Sequence, residues 1–184
     1  GATATAEGLT IDAGATLNYI SNDSLLLNDD LLVNGSISSS TGLLGFVGTG
    51  AQDLWNNSGS AITQFDFYAN NSTTVSFKSG DWNITNFIKV AAGQLVNDGA
   101  TVTLVSDAST QAQIQPSATN SFSGEFIIQR YFSARAANYA DITAPVVSTT
   151  IADWDAELFM SGVGGNDGDA RDGAGGPIYY SVTK

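Results

Sequence analysis

The residues best equipped for chemistry lie in one short stretch, Asn166-Asp167-Gly168-Asp169-Ala170-Arg171-Asp172-Gly173. A hard cation such as Ca²⁺ takes roughly six to eight oxygen ligands held close together. Asn166, Asp167, Asp169 and Asp172, with loop carbonyls, offer such oxygens, and the glycines let the loop wrap an ion. These four residues are therefore the candidate Ca²⁺ ligands. The pattern is not an EF-hand, because Arg171 stands at the third ligand position and no Glu stands at the twelfth. The plainer reading is a solvated acidic loop in which Arg171 balances one aspartate. No other cofactor is expected.

Further chemistry is thinner. Asp153, Asp155 and Glu157 alternate around Trp154. Paired carboxylates can act on a glycosidic bond, but alternation more simply describes a polar face beside a buried Trp154. Trp55, Phe65, Phe67, Tyr68, Phe77 and Trp82 can form either a sugar-stacking strip or a packed interior. A polysaccharide lyase would need a basic residue near acidic Ca²⁺ ligands, and residues 1–120 hold only Lys78 and Lys89 as cations. Asn-x-Ser/Thr sequons fall at Asn22, Asn34, Asn56, Asn70, Asn71 and Asn83, and Asp23-Ser24-Leu25 has the form of a short O-glycosylation site. There is no Gly-x-Ser-x-Gly elbow, no phosphate-binding Gly-Lys-Ser loop and no His-Glu-x-x-His.

Composition narrows the field. The 184 residues contain no His and no Cys. That excludes a Ser-His-Asp triad, a Cys-His pair, a disulfide scaffold and an iron–sulfur cluster. With 18 acidic and 6 basic residues the net charge is −12. Six dispersed cations make no basic patch, so nucleic acid is not an expected partner. No apolar run reaches the roughly 18 residues of a membrane span, so no membrane insertion is expected. Polarity comes chiefly from Gly, Ser, Thr and Asn, which together make 72 of the 184 residues. No catalytic constellation stands out, and the chain is not read as an enzyme.

The elements that carry these residues read as strands. Apolar residues alternate at Leu9/Ile11, Leu17/Tyr19, Leu25/Leu27, Leu31/Val33, Phe65/Phe67, Val75/Phe77 and Val102/Leu104. Turns carrying Gly14, Gly35, Gly59, Gly80 and Gly99 interrupt them at steps of 21, 24, 21 and 19 residues. Two turns are near copies, Asp12-Ala13-Gly14-Ala15-Thr16-Leu17 and Asn97-Asp98-Gly99-Ala100-Thr101-Val102. A beat near 20 residues marks a solenoid, whose coils bury their inner sides only by stacking. The alternative is a β-sandwich throughout, with that spacing spanning every second turn.

The beat is lost after an apolar-poor stretch, Ala108 to Asn120, and a boundary is placed at residue 120. The expected fold is all-β: a short right-handed parallel β-helix of about five coils over 1–120, then a partial β-sandwich-like module over 121–184. Within the latter, Thr149 to Trp154 is the one plausible helical turn, capped by Thr150, and Ile178 to Val182 reads as a strand.

The first region resembles β-helical repeats of very large surface proteins of Bacteroidota. Gly48-Thr49-Gly50-Ala51-Gln52 matches their Gly-Thr-Gly-x-Gln turn, whereas Phe65-Asp66-Phe67-Tyr68-Ala69-Asn70 stands where an Asn-Leu-Thr-Ile-Asn strand usually lies. Three later segments occur in the order of a block in the same proteins: Phe126 to Phe132, Ile142 to Val146 and Thr150 to Trp154. The resemblance implies export by the type IX secretion system and an adhesive or surface-associated role. The chain starts at Gly1 and stops at Lys184 without the C-terminal sorting domain of such proteins, so it reads as a portion of a longer polypeptide.

The expected function is a non-catalytic structural or adhesive module of a secreted cell-surface protein, a stalk or adhesin segment. The alternatives are a self-assembling filament subunit and a fragment of a polysaccharide-degrading β-helix. Expected partners are neighbouring domains of the same polypeptide, identical subunits or surface glycans.

Overall fold

The computed structural model describes residues 1–19, 22–39, 41–116, 122–129 and 131. The chain divides into two units, 1–135 and 136–184, and the second lies outside the described residues. So do the Ca²⁺ loop, the Asp153/Asp155/Glu157 group, the helical turn and the last strand.

Strands follow one another in coils with three faces. The first coil holds β1 (Thr3–Ala6), β2 (Leu9–Ile11) and β3 (Thr16–Tyr19). The second holds β4 (Ser24–Leu27), β5 (Leu31–Val33) and β6 (Ser36–Ser39). β7 (Leu43–Phe46) and β8 (Gln52–Asn56) begin the third. Two long strands, β9 (Ile62–Ser79) and β10 (Asp81–Asn97), bend around corners and serve more than one face. β11 (Thr101–Leu104) completes the fifth coil, and β12 (Gln113–Ile114), β13 (Phe122–Ser123) and β14 (Ile127–Ile128) form a sixth.

Every strand ladder among the described residues is parallel. Parallel neighbours a coil apart are what a solenoid produces, and a sandwich of antiparallel hairpins cannot produce them. The described residues therefore form an all-β solenoid of about six turns, and the alternative of a sandwich throughout does not hold for this region. The first face runs without a break from Thr3 through Ser24, Leu43, Asp66 and Phe87 to Gln113. The second runs through β2, β5, β8, β9, β10 and β13. The third is split: β3 and β6 stand as a separate two-stranded sheet, and the ladder resumes at Ile62 to Gln64. The ladders continue past residue 120, where β13 and β14 stack on β10 and β11.

The period-two reading explains the core. Inward rows on the first face include Leu27, Leu44, Phe46, Phe67, Ile88 and Val90, all fully buried. Phe46, Phe67, Phe77 and Trp82 form a continuous interior column with ring centroids 5.4, 5.0 and 5.3 Å apart. Contacts of this geometry add about 0.5–1.5 kcal/mol per pair to the gain from burial.

The glycine beat falls at one corner, between the second and third faces. Gly80 has φ +73°, and a Cβ there would lie 2.2 Å from the carbonyl oxygen of Asn56 in the coil below. Gly124 repeats this two coils further on, with φ +88° and 2.1 Å to the Asn97 carbonyl oxygen. Only glycine allows both the left-handed turn and so close a backbone approach.

Buried amides pin the opposite corner. The Gln52 Nε2 donates to the carbonyls of Leu27 (3.1 Å) and Asp29 (2.8 Å), while its Oε1 accepts from the Gly48 N–H (3.0 Å) and Asn71 Nδ2 (2.8 Å). One side chain thereby ties three coils. This satisfies backbone groups that a sharp turn would leave unpaired inside the protein.

Candidate functional site

With the inner rows used for packing, ligands must be met by the outward rows. On the third face these are mostly polar: Thr16, Asn18, Ser36, Ser38, Thr63, Asn83, Thr101 and Thr103 lie in or beside its ladder, and the row ends at exposed Ile127. Most are exposed, and the Thr16 and Ser36 hydroxyls are hydrogen-bonded at 2.7 Å.

The first face differs. Its outward rows read Thr3, Ser24, Leu43, Asp66, Phe87, Gln113 and Thr5, Leu26, Gly45, Tyr68, Lys89. Leu26, Leu43, Tyr68 and Phe87 are half-buried and climb four successive coils. Gly45 makes room for them: a Cβ there would lie 2.5 Å from Leu26 Cδ2, 3.2 Å from Leu43 Cδ2 and 3.6 Å from Tyr68 Cδ1. The three side chains close over the glycine as an apolar surface on the outside of the sheet.

Charges border that surface. Asp66 pairs in register with Phe87, and Tyr68 with Lys89, so the four make a block with acid and base on opposite corners. The Lys89 ammonium stands 6.0 Å from the Tyr68 ring centroid, at the outer range of a cation–π contact. Asn86 Nδ2 donates to Asp66 Oδ1 at 2.6 Å. Burial raises the Asp66 carboxyl above its ordinary value, and the hydrogen bonds from Asn86 and the Phe87 N–H oppose that rise.

The aromatic residues singled out by sequence divide in two. Phe67, Phe77 and Trp82 are in the core. Trp55, Phe65 and Tyr68 are half-buried and outside it. Trp55 sits on the second face in register with outward Leu32, and Phe65 lies beside the bend that leads β9 onto the first face. Sequence reasoning missed Leu26, Leu43, Asp66, Phe87 and Lys89 as a group. The available signal was that Leu25-Leu26-Leu27, Leu43-Leu44 and Phe87-Ile88 are contiguous apolar runs in period-two strands, so one member of each must face out.

Folding brings Lys78 between two carboxylates, Asp98 Oδ2 at 2.8 Å and Asp53 Oδ1 at 3.6 Å. The hydrogen bond to Asp98 is the main cause that raises Lys78 above the usual lysine value. An ammonium held charged in this way suits ion pairing better than proton abstraction. Among the described residues no group of three or more His, Cys, Asp or Glu is placed to hold a metal ion. Asn56 and Asn71 of the sequons are buried with Nδ2 donating to backbone carbonyls, whereas Asn22 and Asn70 are exposed. No helix among the described residues is long and apolar enough to cross a membrane.

Comparison of the chain with protein-family profiles, curated proteins and solved structures returns no significant match.

Proposed function

We propose that the chain is a non-catalytic structural and adhesive module, a stiff stalk segment of a secreted cell-surface protein. The observation that carries this reading is the pair of unbroken parallel ladders on the first and second faces, which share one interior column of aromatic rings and buried amides. Such stacking is quasi-one-dimensional, and each coil holds its neighbours in fixed register. The low-charge coat of Asn, Ser and Thr and the resemblance to surface-protein repeats support an extracellular setting.

Display on a cell tests the reading. Fused between an inert anchor and a binding tip, the chain should keep cells attached under flow better than a flexible Gly/Ser linker of equal length. Equal retention with the flexible linker would overturn the stalk role.

A further inference from the structure

We propose that the outward first face, with Leu26, Leu43, Tyr68 and Phe87 and the flanking Asp66 and Lys89, binds an extended neutral pyranose glycan. The proposal deepens the adhesive reading and rests on it, whereas the stalk role stands on the ladders alone.

Three observations lead to this ligand. First, the apolar side chains are not needed by the core: the buried rows beneath them are complete, and over its first five coils the third face folds with Asn, Ser and Thr at most outward positions. Second, apolar and charged groups alternate. Asp66 and Tyr68 on one coil lie against Phe87 and Lys89 on the next. An apolar protein partner would cover the carboxylate and the ammonium without offering either a counter-charge, at a cost. A pyranose lays its C–H face on an aromatic ring while its hydroxyls donate to Asp66 and accept from Lys89. Third, the four apolar residues climb the solenoid one per coil, Leu26 and Tyr68 in one outward row and Leu43 and Phe87 in the row beside it, with a rise of about 4.8 Å per coil. A sugar unit is of comparable length, so a linear chain can meet one side chain per unit.

Charge selects neutral over anionic chains. Asp66 and Lys89 cancel locally, and the chain as a whole carries −12. A polyanion would be repelled at long range and gain one cation at most.

The test uses the full chain with cellohexaose, mannohexaose and xylohexaose as probes and trigalacturonate as the anionic control. Binding is read by calorimetry and by chemical-shift changes of backbone amides. The expected result is binding to at least one neutral hexaose, with shifts centred on 43–45, 66–68 and 87–89. Tyr68→Ala and Phe87→Ala should each weaken the apparent Kd about tenfold. Trp55→Ala on the second face and Asn83→Ala on the third should leave it unchanged. Shift mapping on the unaltered chain keeps the test valid if a variant misfolds. Absence of binding to all three neutral probes would overturn the glycan assignment. So would tighter binding of trigalacturonate, or a dimer that Tyr68→Ala dissolves. None of these touches the stalk role, which falls only in the flow experiment.

Discussion

The first and third faces are built on the same coils yet present opposite surfaces. Inside, both contribute fully buried apolar rows, such as Phe67 and Ile88 on one and Trp82 and Ile84 on the other. Outside, one carries Leu26, Leu43, Tyr68 and Phe87, the other Asn18, Ser38, Thr63 and Asn83. Both outer sets are compatible with a parallel ladder. The difference teaches that outward residues are released from the folding problem, so an apolar cluster there calls for another reason.

The largest expected effect separates inside from outside at adjacent residues. Phe67→Ala opens a cavity in the aromatic column and should cost about 3–5 kcal/mol in urea unfolding. Tyr68→Ala, one residue on and facing out, should cost no more than about 1 kcal/mol. Equal losses would show that the outer strip is structural, and the contrast between the faces would collapse.

The corner amide comes next. Gln52→Ala leaves the Gly48 N–H, the Leu27 and Asp29 carbonyls and Asn71 short of a partner. The expected loss is about 1–3 kcal/mol, read from the same unfolding curves. On the third face, Thr63→Ala and Asn83→Ala should stay within about 0.5 kcal/mol of the parent.

Asp66→Asn should sharpen the contrast through pH. A carboxyl whose folded pKa is raised binds its proton more tightly when folded, so stability falls as pH rises from the ordinary 3.8 through the raised folded value. The amide removes that penalty and can still accept from Asn86 and the Phe87 N–H. A small gain in melting temperature at pH 7 is expected, vanishing below pH 3.8, where Asp66 is neutral in both states. A gain that persists in acid would point to packing instead.

The smallest effect belongs to Lys78. Its folded pKa is raised, so its ion pairs stabilise fully below the unfolded value of 10.5 and are lost as pH rises through the folded one. Lys78→Met should melt slightly earlier than the parent at pH 8, with the gap closing above pH 10.5. Its partial exposure keeps the effect small and salt-sensitive.

Much of the fold was legible because solenoids repeat. The turns at Gly14, Gly35, Gly59, Gly80 and Gly99 do occupy one corner, with positive φ at all but Gly35. Leu31/Val33, Val75/Phe77 and Val102/Leu104 are buried together, as alternation required. Phe65 was misplaced beside Phe67, because the ladder shifts register there as β9 turns onto the next face. A sixth coil was hidden by long loops: Gln113 pairs 26 residues after Phe87, where earlier steps on that face run from 19 to 23. The candidate ligands Asn166, Asp167, Asp169 and Asp172 lie outside the described residues, and their Ca²⁺ site remains a sequence-level proposal.

By itself the sequence determined the strand period, the glycine corners and hence the class of fold, because backbone sterics and burial act within a few residues of each position. Only the tertiary structure decided which outward side chains are neighbours. Leu26, Leu43 and Tyr68 meet over Gly45, with Phe87 one coil further on, because unequal loops happen to bring their strands into register. Alternation tells each residue which way to point, but register between coils is a property of the whole stack.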